Sequence, residues 1–186
     1  MDEIARRAFV KGAASGALAF TVGGVEVWLT AAQARAQDVP FRTLEPAEVR
    51  TLEALGETLA IGARQAGIAH FVDQQLSVPP DEALLSLRVS EARPPYVTFY
   101  RAALAGVEGA SQAQHNSEYA DLTADEQHDF VDRLRQGKLE SWQGPAQASV
   151  YSTLRNDAID VVYGTVEGFA KLGIPYMPHI VPERRW

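Results

Sequence analysis

Apolar residues recur at intervals of three and four along most of the chain. Val49, Leu52, Leu55 and Leu59 do so behind Pro46, with glutamates and arginines between them. This spacing lines one face of an amphipathic helix, and proline fits its first turn because the missing N–H has no intrahelical partner there. Gly62 is the expected end. Ile68, Phe71, Val72 and Leu76 predict a second, shorter helix, stopped by Pro79 and Pro80. Asp81 is placed to cap a short helix through Leu87, before Pro94 and Pro95 break the chain again. Tyr96, Phe99, Tyr100, Ala103, Leu104 and Val107 predict a further helix that fades in the polar stretch 111–117. Thr123 and Glu126 stand at capping-box spacing ahead of Phe130, Val131 and Leu134, with Gly137 as the stop. Val150, Leu154, Ala158, Val161 and Val162 outline a helix from about Pro145 to Gly164, and a short helical turn follows at 166–172. No six-residue stretch alternates apolar with polar. The expected fold is all-α, a small helical bundle over residues 37–172 with a distinct segment at each end.

The N-terminal segment, residues 1–36, has the three parts of an export signal. Arg6 and Arg7 stand together, followed by Phe9 and Lys11. A run of apolar and small residues covers 12–32, and Ala34 and Ala36 offer a small-x-small cleavage site before Gln37. The run A-R-R-A-F-V-K is similar to a twin-arginine (Tat) signal, with Ala5 where Ser or Thr is usual. That pathway carries folded proteins. A retained membrane anchor is the competing reading, but four glycines and Glu26 interrupt the run, and an acidic residue in a span costs about 2.5–3.5 kcal/mol. The C-terminal segment, residues 173–186, holds Pro175, Pro178 and Pro182 among Tyr176, Met177, Ile180 and Trp186. Such proline density favours extended backbone, and an extended apolar tail is expected to lie in a groove, its own or a partner's.

Composition narrows the chemistry. The 186 residues carry 17 basic and 24 acidic side chains, a net charge of −7, without a basic stripe that would fit nucleic acid. The absence of cysteine excludes disulfides, thiolate metal sites and covalent haem attachment by this chain. Dinucleotide, P-loop and nucleophile-elbow motifs are missing. His70 with Asp73, and Asp125 with His128, each share a helix face one turn apart and are the best metal candidates. Solvated or capping roles fit these pairs better than ligation. The loop cluster His115–Asn116–Ser117 shows no nucleophile–base pairing. From its residues the chain is a helical domain without catalytic, cofactor-binding or metal residues of its own; a di-metal oxidase and a free-standing periplasmic binding protein are the alternatives.

Several segments together resemble one family. They are L-E-P-A-E-V-R-T-L-E-A-L-G-E-T-L at 44–59, A-G-I-A-H-F-V-D-Q-Q-L at 66–76, Y-R-A-A-L-A-G-V at 100–107, A-D-L-T-A-D-E-Q at 120–127, L-R-N-D-A-I-D-V-V-Y-G-T at 154–165 and L-G-I-P-Y-M-P-H-I at 172–180. These resemble the gluconate 2-dehydrogenase subunit 3 family, the small subunits of bacterial FAD-dependent sugar and polyol dehydrogenases. The resemblance implies a non-catalytic role. FAD is expected on a partner, a large flavoprotein of the glucose–methanol–choline (GMC) type, with a multihaem cytochrome c as a further partner. It also implies that the small subunit supports folding of the large one and brings it to the Tat translocase, hence a periplasmic location. Within that picture Tyr176, Met177, Ile180 and Trp186 are the expected docking residues.

Overall fold

The computed structural model describes residues 16–174. Arg6, Arg7, Phe9 and Lys11, and the tail residues Tyr176, Met177, Ile180 and Trp186, lie outside the described residues. The helices are α1 (Ala31–Ala36), α2 (Pro46–Leu59), α3 (Ile68–Leu76), α4 (Ser86–Val89), α5 (Tyr96–His115), α6 (Ala124–Gln136), α7 (Gln147–Tyr163) and α8 (Val166–Lys171), with a 3-10 turn at Tyr119–Asp121. Helix α2 packs against α3, α5, α6 and α7, so its stripe of Leu52 and Leu55 is fully buried at the centre. Each such leucine contributes about 1.5–3 kcal/mol by leaving water.

The termini of these helices follow local chemistry. Thr123 Oγ1 accepts the Glu126 N–H while Glu126 accepts the Thr123 N–H at 2.8 Å, closing the expected capping box. Gly137 ends α6 at a φ of 70°, the left-handed conformation that glycine adopts at no steric cost. Helix α2 stops at Leu59, short of Gly62. The Glu57 carboxylate turns back and accepts the N–H groups of Gly62 and Arg64, which closes the turn. Asp81 does not cap a helix. The Pro79 carbonyl accepts the N–H of Glu82 and of Ala83, which makes residues 79–83 a turn, and the short helix α4 begins only at Ser86.

The all-α expectation needs one correction. Residues Leu18–Val22 (β1) and Val25–Leu29 (β2) form an antiparallel hairpin, with Phe20 opposite Val27. Gly23 and Gly24 turn it with φ of 57° and 83°, the pair of positive angles that a tight hairpin turn requires. Each strand is only five residues long and lies in a mostly apolar stretch, so period-two alternation is hidden. The other regular elements among the described residues are helices, joined by turns and loops. Among them no helix is long and apolar enough to cross a membrane.

The hairpin and α1 pack on the bundle at α3. Phe20, Ala34 and Val39 form a small apolar cluster there, separate from the main core. Ala34 is fully buried and Ala36 is exposed.

Candidate functional site

Helix α3 carries the densest set of buried polar side chains, and its partners explain it. Its apolar residues Ile68, Val72 and Phe71 join the core, while His70, Asp73, Gln74 and Gln75 are buried beside them. Buried polar groups are stable only when hydrogen-bonded, so each must find a partner. Asp73 accepts three backbone N–H groups: Arg42 at 2.9 Å, Thr43 at 2.8 Å and Leu44 at 2.8 Å. His70 Nε2 lies 3.1 Å from the Val39 carbonyl, its ring centroid is 4.4 Å from that of Phe41 at a 41° tilt, and its Nδ1 is buried without a hydrogen bond. That geometry puts the proton on Nε2. Burial lowers the His70 pKa, favouring the neutral ring. Gln74 donates to the Ala19 carbonyl of β1 at 3.2 Å, and Gln75 accepts the Leu84 N–H. One short helix thus fixes the hairpin, the 39–44 segment and the loop before α4.

The candidate metal pairs come apart on this geometry. His70 and Asp73 do share a face, but both grip the 39–44 backbone, and the carboxylate's two oxygens are taken by N–H groups. Asp125 and His128 are both exposed, and His128 Nδ1 lies against the Ala124 carbonyl of its own helix. His115 Nδ1 lies 3.7 Å from a Glu126 carboxylate oxygen, and Asn116 is the left-handed residue that ends α5. Among the described residues no group of three or more His, Cys, Asp or Glu is arranged to hold a metal ion.

A recess of about 150 Å³ opens between the hairpin and α3, lined by Thr21, Glu26, Arg42, Asp73, Gln74 and Ser77 among others. Sites for cofactors and drug-sized ligands usually span roughly 300–1,000 Å³. This recess therefore suits a few waters rather than a flavin.

The segment 120–127 is likewise structural. Asp121 pairs with Arg50 of α2 at 2.7 Å. Gln127 donates to the Tyr119 carbonyl at 3.1 Å and accepts the Thr58 hydroxyl at 3.2 Å, while the Tyr119 hydroxyl reaches Thr58 at 3.1 Å. Tyr119 is fully buried against Phe130. The motif ties α2 to α6.

A buried acid emerges that the sequence reading passed over. Asp157 of α7 is wholly buried, accepts the Ser86 N–H at 3.0 Å and takes a short hydrogen bond from the Tyr100 hydroxyl. It joins α4, α5 and α7. The signal was available: Asp157 stands one turn after Leu154 and one before Val161, on the apolar stripe. Burial pushes its pKa up to about 6, against the lowering effect of Tyr100 and Ser86, and pushes Tyr100 upward too. The sign follows directly. A carboxyl that binds its proton more tightly when folded stabilises the fold at low pH, and that contribution is lost as pH rises from about 4 through 6. A shift of this size corresponds to roughly 3 kcal/mol at most. Asp157→Asn keeps an acceptor for Ser86 and leaves the Tyr100 hydroxyl to accept. Between pH 4 and 6.5 the thermal midpoint of the parent should therefore fall relative to that of the variant. Parallel curves for the two proteins would refute the assignment.

No curated protein and no solved structure matches the chain. The family model described as gluconate 2-dehydrogenase subunit 3 matches residues 46–182, a stretch that runs from the first turn of α2 through α8 and contains the α3 hub, the 120–127 knot and Asp157. The chain belongs to the gluconate 2-dehydrogenase subunit 3 family.

Proposed function

We propose that this chain is the non-catalytic small subunit of an FAD-dependent sugar or polyol dehydrogenase complex, and that it supports folding and Tat export of a GMC-type flavoprotein. The family match over residues 46–182 carries this reading. The commitments of the buried polar side chains support it: Asp73, Gln74, Gln75 and Asp157 each serve a backbone or a neighbouring helix. In this reading FAD sits on the large subunit, a multihaem cytochrome c takes the electrons onward, and the assembly works in the periplasm. The C-terminal tail, with Tyr176, Met177, Ile180 and Trp186, provides contact with the flavoprotein.

Co-expression tests the proposal. With the full chain present, a partner flavoprotein of the GMC type should be recovered soluble and flavin-loaded; without it, recovery should drop. Truncation after Gly173 should weaken co-purification while the bundle keeps its helical circular dichroism. His128→Ala and Asp125→Ala should leave turnover per bound flavin unchanged. A hundredfold fall in that turnover, about 2.7 kcal/mol of barrier, would place a catalytic group on this chain. Stoichiometric iron or manganese in the purified chain would favour a di-metal oxidase instead.

A further inference from the structure

Resting on the export reading above, we infer that residues 18–36 remain part of the working subunit and that the bond after Ala36 is not a processing site. A peptidase takes its substrate as an exposed, extended strand, and nicking concentrates where the backbone can locally open. The segment Ala34-Arg35-Ala36 is no such strand, although Ala36 itself is exposed. It is helical, within α1, and Ala34 is 0% exposed. Thr30 caps that helix: its side chain accepts the Gln33 N–H at 3.1 Å while Gln33 accepts the Thr30 N–H at 2.9 Å. Arg35 reaches across to Gln65 at 3.3 Å and to Glu53 of α2 at 3.7 Å.

The bundle is shaped to receive this segment. Gly67, which precedes α3, has a φ of 82°, and a Cβ built on it would lie 2.2 Å from the Ala31 carbonyl oxygen. Only glycine admits α1 there. The buried Gln74 of α3 has its acceptor in the hairpin, on Ala19. Removal of residues 1–36 would strip that partner, open the cluster of Phe20, Ala34 and Val39, and uncover the flank of α3. Glu26, an ill fit for an apolar signal core, lies exposed at the rim of the polar recess. The segment therefore reads as a folded strap on α3, and the export information is confined to the residues ahead of it.

Two measurements decide this. The first is the intact mass of the C-terminally tagged chain purified with its flavoprotein from the periplasmic or membrane fraction. Residues 18–36 should be present in that mass; a mature N-terminus at Gln37 overturns the inference. Should the chain stay in the cytoplasm, the export reading fails, and the second measurement still decides the role of the strap. It compares thermal unfolding of residues 16–186 with that of residues 37–186. Loss of the strap should lower the midpoint by about 10 °C or more, or leave the shorter chain insoluble. Equal midpoints would show that the segment is dispensable and overturn the inference.

Discussion

Asp73→Ala should be among the most destabilising single substitutions in this chain, by about 3–5 kcal/mol, although Asp73 touches no other charged group by hydrogen bond. The carboxylate accepts three backbone N–H groups in succession, from Arg42, Thr43 and Leu44. Hydrogen bonds to a charged acceptor contribute roughly 1.5–3 kcal/mol each, and a buried donor left without a partner costs about 1–3 kcal/mol. The three are not additive, because the freed segment would relax toward water. Leu44, however, is buried in the core, so that relaxation is limited at one end. Asp73→Asn should be milder. One amide oxygen can still serve Thr43 and Leu44, while the NH₂ group meets the Arg42 N–H, donor against donor. Thermal melts of the two variants check this. For a chain of this size the alanine variant should lose roughly 8–15 °C. A loss below about 1 kcal/mol would mean that Asp73 is not what fixes the 39–44 segment.

The contrast between Asp73 and the helices around it shows what sequence carries and what it does not. Helices α2, α3 and α5 were legible because their stripes, such as Ile68, Phe71 and Val72, repeat at the helical period. Both ends of α6 were legible because Thr123 and Glu126 at its start and Gly137 at its stop act on backbone within their own turns. The pairing of His70 with Asp73 on one face was legible too. Their partners were not, since these are backbone groups about thirty residues upstream and a backbone N–H leaves no mark on sequence. The same holds for Asp81. Its expected cap lost to a turn closed by the Pro79 carbonyl, and the Leu84 N–H was claimed by Gln75 from another helix.

The hairpin failed for a different reason. Val25, Val27 and Trp28 are strand-prone, and Gly23–Gly24 is a hairpin turn signal. Yet the same residues fit the apolar middle of an export signal, and composition cannot separate the two. What separates them is tertiary: Phe20 buried against Val39, and Gln74 waiting for the Ala19 carbonyl. Asp157 was readable in principle, as an acid on an apolar stripe, but its partners Tyr100 and Ser86 come from two other helices. The family-specific segments at 66–76 and 120–127 both prove architectural in the structure. Both segments lie within the stretch matched by the family model.

Replacing Arg6 and Arg7 together with lysine should remove both this chain and its flavoprotein from the periplasm. The expected loss of periplasmic dehydrogenase activity is at least about tenfold, with the activity recovered in the cytoplasmic fraction. The substitution keeps both positive charges, so an electrostatic attraction to the membrane surface would survive it. What it removes is the pair of planar guanidinium groups, whose fixed donor geometry an ammonium cannot reproduce. Export by general charge and export by recognition of the arginine pair therefore give opposite results. The substitution leaves every residue of the described strap and bundle unchanged. Unchanged melting of the purified variant is the control that separates a translocation defect from a folding defect. The flavoprotein supplies the second control. If it reaches the periplasm while the variant subunit stays behind, it travels on its own signal, and carriage by this chain is refuted. If both stay behind with flavin bound, the small subunit is the carrier. Unchanged periplasmic activity in the variant would refute the twin-arginine reading altogether.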